Sequence, residues 1–210
     1  MNLLNNLDKI KENFPHHSKC KIRTLLIVLG CMIELRTVCL YKCKDKVGEI
    51  SGKKKNSSNS NYKHLLRFFV MERIDEFCDG IFMLLVSMIE LTGGHIVLDR
   101  TNWKVGKKNI NILTLGILFK NCFIPLCWQQ LNKRGNSNFG EREKLMNRFI
   151  HLWHKSGKNL QGMTLVADRE FIGPLWFDYL SKNFLSFVFR LKANMYFELI
   201  QDGTAKKNVS

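Results

Sequence analysis

The apolar positions change period part way along the chain. From Arg23 to Tyr41 they occupy most sites, which predicts a helix packed on a core, entered through Pro15 and the polar residues around it. From Tyr62 to Leu91 they recur mostly at spacings of three and four: Leu65, Phe68, Phe69, Val70, Ile74 and Phe77, then Ile81, Leu84, Leu85 and Met88. That is the period of a helical face, and Asp79-Gly80 predicts a break into two helices. Between these stretches, Lys42 to His64 is polar and basic, with Gly48, Gly52, Lys53-Lys54-Lys55 and a run from Asn56 to Asn61. Its composition is that of a mobile linker or exposed loop.

From His95 onward the apolar runs are short and separated by polar turns. His95 to Asp99, Ile112 to Phe119 and Phe123 to Trp128 read as consecutive hairpin-linked strands, the third placed near an edge or bulge by Pro125. Glu141 to Lys155 then carries Leu145, Met146, Phe149, Ile150 and Trp153 on one helical face, with Asn138 or Ser137 placed to cap it. A strand from Met163 to Asp168, a helix from about Pro174 to Lys182 and a strand from Phe184 to Leu191 complete the order β-β-β-α-β-α-β. Three antiparallel strands followed by αβαβ predict an α/β domain, a mixed sheet covered by helices, behind an N-terminal helical region. The expected divisions are 1–91, helical with a basic linker at about 42–64; 92–200, the sheet domain; and 201–210, a polar tail.

Composition narrows the partners. The 33 Lys and Arg outnumber the 18 Asp and Glu, so the 210-residue chain carries a formal charge of +15, and polyanions are attracted to it. Nucleic acid leads, with an anionic membrane surface behind it. The longest apolar runs, Leu25 to Ile33 and Ile81 to Ile89, fall short of the roughly 20 residues a span needs and read as core helices. Met1 to Lys11 lacks the basic-then-apolar order of an export signal, so a cytoplasmic protein is expected. The seven cysteines are odd in number and lie in apolar runs, as reduced thiols do.

Two acids stand at the ends of apolar strands in the same local pattern: Val97-Leu98-Asp99-Arg100 and Val166-Ala167-Asp168-Arg169. A carboxylate at the edge of an apolar sheet is costly to desolvate unless a cation offsets it. If the strands are neighbours, the acids meet, and paired carboxylates holding a hard cation suit phosphodiester chemistry. The plainer alternative is that each Asp caps a turn or pairs with the Arg after it.

Residues 95 to 195 resemble the catalytic domain of the DDE transposases of bacterial insertion sequences. The resemblance is carried by Leu98-Asp99-Arg100-Thr101-Asn102-Trp103, by Lys133-Arg134-Gly135-Asn136-Ser137-Asn138, and by Val166-Ala167-Asp168-Arg169-Glu170-Phe171, which is similar to the family's DREAD-like motif. It implies an RNase H-like sheet and DNA cleavage and strand transfer. It also implies Asp99 and Asp168 as the first two acids of a triad ligating Mg²⁺ or Mn²⁺, with transposon ends and target DNA as partners. It further implies a homodimer or pairing with a complete transposase, and end binding by the helical part.

The family's third acid lies in a Tyr-x2-Arg-x3-Glu-x6-Lys motif that this sequence does not contain. Tyr179 is followed at the Arg position by Lys182, and Tyr196 by Leu199, while Glu198 is given no triad role. The chain is therefore expected to be truncated and impaired in catalysis. The alternatives are a non-catalytic DNA-binding inhibitor of transposition and a decayed fragment.

DNA-backbone candidates are Lys53, Lys54 and Lys55 in the densest basic run, Lys104, Lys107 and Lys108 after the first strand, and Arg100 and Arg169 beside the acids. A solvated surface is the competing reading for each run. Trp103, Trp128, Trp153 and Trp176 all lie in apolar patterns and are expected to pack. His16-His17-x2-Cys20 and His151-x2-His154 lack a second pair at zinc spacing, and no phosphate-cradling glycine pattern is present.

Overall fold

The computed structural model describes residues 3–53, 56–70, 72–91, 93–183, 185–191, 198–201 and 204–207. The chain divides into two compact units, Met1–Ile89 and Glu90–Ser210.

The first unit is helical: α1 (Leu7–Lys11), α2 (Lys19–Leu35), α3 (Leu40–Cys43), α4 (Val47–Ser51), α5 (Ser58–Phe69) and α6 (Ile74–Ser87). The Ser18 side chain caps α2 by accepting from the Lys21 N–H. The helix stops at Leu35, well before Tyr41, because Arg36 turns into the left-handed region at φ 49°. Phe14, Ile22, Leu25, Cys31, Cys43, Val47, Leu65, Phe68 and Phe77 form a common buried cluster. Burying side chains of the larger kinds contributes about 1.5–3 kcal/mol each.

Two expectations are corrected here. The stretch 42–64 is not a spacer: it holds α4, the end of α3 and the first half of α5, and it contributes Cys43 and Val47 to the core. Many of its polar residues lie on the exposed sides of short helices, while Asn61 is buried and donates to the Lys44 carbonyl, and Ser57 caps α5 by accepting from the Ser60 N–H. Lys54 and Lys55 lie outside the described residues.

The helix break falls between α5 and α6, not at Asp79-Gly80. Gly80 sits inside α6 because Phe14 packs onto its bare Cα. A Cβ there would come within 2.3 Å of a Phe14 ring carbon and 2.8 Å of the Asn13 carbonyl oxygen. No disulfide joins any of the seven cysteines, and burial pushes the Cys31 thiol up to about 11.

The second unit is built on β1 (Gly94–Val105), β2 (Lys108–Phe119), β3 (Cys122–Gln130), β4 (Met163–Ala167) and β5 (Ser186–Phe189), with α7 (Phe139–Lys155) and α8 (Pro174–Lys182). The sheet order is β3-β2-β1-β4-β5. The first three strands are antiparallel, and β4 and β5 join in parallel. The expected element order and mixed sheet are thus present. Pro125 lies on the edge strand opposite Gly116, at the register shift between Leu115 and Gly116, a place where a strand proline is tolerated. Asn138 caps α7 in a reciprocal pair with Glu141. The expected polar tail is instead a hairpin of β6 (Glu198–Gln201) and β7 (Thr204–Lys207).

Alternation gives the sheet two unlike faces. Ile96, Leu98, Leu113, Leu115, Leu165 and Ala167 are buried on one, and α7 supplies the buried Leu145, Met146, Phe149 and Trp153. Beside them Phe177 of α8 stacks on Phe187 at 5.1 Å between ring centroids. On the other face Val97, Thr114 and Val166 are half-buried, while Leu118 is 38% and Val188 59% exposed.

Candidate active site

β1 and β4 run parallel in the register Val97↔Val166 and Leu98↔Ala167, so the next residue of each, Asp99 and Asp168, falls at one level. Each lies two positions after a half-buried valine of its own strand and therefore on the face opposite Leu98 and Ala167. Neighbouring strands lie about 4.8 Å apart. Both acids are exposed, and among the described residues neither carboxylate has an ion-pair or hydrogen-bond partner. The plainer alternative, that each acid caps a turn or pairs with the arginine after it, is not what the geometry gives: Arg100 makes its ion pair with Glu170, and the Asp168 side chain makes no cap hydrogen bond.

The same level extends across the sheet. Asp99 is opposite Thr114, and Thr114 is opposite Trp128, which is 38% exposed. On the far side Ala167 pairs with Phe189, so Arg190, exposed and donating its N–H to the Ala167 carbonyl at 3.2 Å, follows at the level of Asp168. One row thus reads Trp128, Thr114, Asp99, Asp168, Arg190. Sequence reasoning missed Arg190; the signal was that it follows an apolar strand as Asp168 does.

Behind this row the backbone is pinned. Arg100 points to the helix-covered face and makes a two-pronged ion pair with Glu170, Nε to Oε1 and Nη2 to Oε2, both at 2.8 Å. It also donates to the side-chain oxygens of Asn111 at 3.3 Å and Asn136 at 3.2 Å. The hydrogen-bonded Glu170 carboxylate raises the Arg100 pKa further above its ordinary value.

Arg142 of α7, which is buried, donates to the Ser137 hydroxyl at 2.9 Å. It donates also to the carbonyls of Ser137 at 2.7 Å, Glu170 at 3.1 Å and Phe171 at 3.2 Å. Burial lowers its pKa. The turn from Asp168 to Phe171 is therefore held from β1 through Arg100 and from α7 through Arg142. Sequence periodicity missed Arg142, because an arginine on a helix reads as solvent-facing.

The remaining candidates are dispersed. Arg100 is engaged by Glu170 and is not free for phosphate. Arg169, Lys104, Lys107 and Lys108 are exposed, the last three at the tip of the β1–β2 hairpin, while Lys53 is exposed in the other unit. Trp153 and Trp176 are buried as expected, but Trp103 is 45% exposed and Trp128 38%. Among the described residues no three His, Cys, Asp or Glu side chains cluster, and no helix is long and apolar enough to cross a membrane.

Comparison with protein-family models, with curated proteins and with solved structures finds no match for this chain.

The donor chemistry of the acid pair is that of a hard-cation site. Two carboxylates that make no ion pair among the described residues, at one level and on one face, offer oxygen ligands, and Mg²⁺ is commonly held by one or two carboxylates with water completing the shell.

Proposed function

We propose that Asp99 and Asp168 form a metal-assisted phosphodiester-cleavage site acting on DNA, in a sheet of RNase H type, and that the chain is a transposase of the insertion-sequence kind. The observation that carries this reading is the placement of the two unpaired acids side by side on neighbouring parallel strands. The order β3-β2-β1-β4-β5 and the formal charge of +15 support it.

In this reading Asp99 and Asp168 would hold Mg²⁺ or Mn²⁺ through their carboxylates, and the ion would supply Lewis acidity toward the phosphate and acidify water. Arg190, next in the row, binds a non-bridging phosphate oxygen and offsets the charge that grows there. Thr114 offers a hydroxyl to the same strand of DNA. Arg100 and Arg142 do not touch DNA; they hold the turn that carries Asp168, since misplacement of a ligand by about 1 Å is costly to catalysis.

A second reading, a chain that binds DNA without cutting it, is favoured by the engagement of Glu170. Its carboxylate is held by Arg100 on the other face, so it adds no third ligand to the pair.

Titration with Mn²⁺, followed by the electron paramagnetic resonance of the free ion, tests the site directly. Saturable binding is expected, weakened roughly tenfold or more in Asp99→Asn and Asp168→Asn variants that keep the wild-type melting temperature. Equal Mn²⁺ binding by all three proteins would remove the acid pair as a metal site.

A further inference from the structure

Within the helical unit a cavity of about 220 Å³ lies among three helices. Arg23 and Thr24 of α2, Ser51 and Lys53 at and just beyond the end of α4, and His64 and Arg67 of α5 line it. On α5, His64 and Arg67 follow Ser60 at intervals of four and three, so the three share one helix face. No Asp or Glu is among the described lining residues.

The wall is fixed by hydrogen bonds that leave its cations without a counter-charge. Thr24, 5% exposed, donates its hydroxyl proton to the Cys20 carbonyl at 3.0 Å. Its oxygen therefore accepts from His64 Nε2 at 3.2 Å, which ties α5 to α2. Arg23 reaches from α2 to donate to the Ser51 carbonyl at 3.1 Å. Lys53 and Arg67 are exposed, and among the described residues neither side chain has an ion-pair or hydrogen-bond partner. Three permanent cations thus border one cavity with no carboxylate, and an anion placed there relieves their mutual repulsion.

We propose that this cavity binds a terminal phosphate, a phosphomonoester carried on a nucleoside. A monoester brings about 1.5–2 negative charges at pH 7 and three acceptor oxygens, where a backbone diester brings a single charge. Arg23, Lys53 and Arg67 supply charge-assisted donors to those oxygens. The cavity holds more than a phosphate, and Ile27 and Val47 give it an apolar side for the attached sugar and base. Such a phosphate comes from a free nucleotide or from the 5′ end of a DNA strand. Only the second source rests on the DNA-acting reading, and the site uses neither the acid pair nor a metal.

The test is calorimetric titration of the full chain, in EDTA, with thymidine 5′-monophosphate and with thymidine. Saturable binding of the monophosphate is expected, with thymidine weaker by roughly tenfold or more. Lys53→Ala/Arg67→Ala should weaken the monophosphate roughly tenfold or more, through loss of two charge-assisted contacts, and leave thymidine unchanged. Lys42→Ala/Lys63→Ala removes the same charge from exposed positions of the same unit outside the cavity, and should bind as the wild type does. Melting temperatures of both variants separate lost binding from lost folding. Anisotropy of labelled oligo(dT) with and without a 5′-phosphate then identifies the source. A preference for the phosphorylated strand that Lys53→Ala/Arg67→Ala abolishes assigns the site to DNA ends. Equal binding of the two strands beside saturable monophosphate binding assigns it to a free nucleotide.

Three results would overturn the proposal: thymidine binding as tightly as its monophosphate, no binding of either the monophosphate or the phosphorylated strand, or equal weakening by the cavity and control pairs. Because binding is read without metal, failure here leaves Mn²⁺ binding by Asp99 and Asp168 standing, and failure of the acids leaves the cavity standing.

Discussion

Arg142 is a cation whose described hydrogen-bond partners are a hydroxyl and backbone carbonyls, and it is 8% exposed. Its worth lies in what its removal leaves behind: carbonyl oxygens of Ser137, Glu170 and Phe171 with no donor in a dry site. Arg142→Ala is expected to cost about 3 kcal/mol in chemical denaturation, and Arg142→Lys part of that, because an ammonium cannot span the same three carbonyls. A loss below about 0.5 kcal/mol would mean that water replaces the guanidinium without penalty. The Arg100–Glu170 pair is of another kind, two parallel charge-assisted bonds with side chains only 11% and 21% exposed. Glu170→Gln should cost about 2 kcal/mol, and a double-mutant cycle with Arg100→Gln should show the two changes to be non-additive.

At the scale of elements, α7 is held at its start by the pair Asn138 and Glu141. Burial opposes ionisation of Glu141, yet the Lys133 ammonium and the Asn138 N–H together hold its pKa below the ordinary 4.5. A carboxyl lowered in the folded state contributes stability that is present above its unfolded value and lost as pH falls through the folded one. Denaturant midpoints should therefore drop below about pH 4.5 more steeply in the wild type than in Glu141→Gln, and parallel curves would contradict the assignment.

Gly80 tests helix packing in the other unit. Alanine is a better helix former by about 1 kcal/mol, but its Cβ would meet the Phe14 ring at 2.3 Å. Gly80→Ala is expected to destabilise by about 1–3 kcal/mol, with packing outweighing propensity.

The same elements show what was legible beforehand. The strands of the second unit, α7 with its cap and α8 from Pro174 to Lys182 followed from periodicity and capping residues. Their apolar runs and faces agree with their local signals, and a strand shows its period of two within four or five residues. The short helices at 40–43 and 47–51 did not, since four or five residues carry too little period to be read, and polar composition there masks the anchors Cys43 and Val47. Asp168 was legible as a strand-end acid, whereas the expectation that the first strand ends at Asp99 is corrected: β1 runs on to Val105, because the polar residues 101–104 alternate in an unbroken hairpin with β2 that an apolar run does not reveal. The alignment of the acids with Arg190 and Trp128 depends on strand register, which no local pattern encodes.

For the whole molecule, the two units divide the work differently. Unit Met1–Ile89 buries its apolar residues in one cluster, whereas the sheet of unit Glu90–Ser210 has one face packed by helices and another with Leu118, Trp128 and Val188 well exposed. The acids lie on this second face, opposite the one packed by α7 and α8. On the proposed reading, the surplus of cations over the whole chain makes affinity for DNA salt-dependent.

The central claim is that the acids do phosphodiester chemistry together, and it is tested most directly by nicking of a supercoiled plasmid by the purified chain in Mg²⁺ or Mn²⁺. The account predicts open-circle product that requires metal and falls at least a hundredfold, a loss of about 2.7 kcal/mol in transition-state stabilisation, in both Asp99→Asn and Asp168→Asn. Nicking that persists in either variant, or none by a wild-type chain that binds Mn²⁺ and DNA, would contradict it.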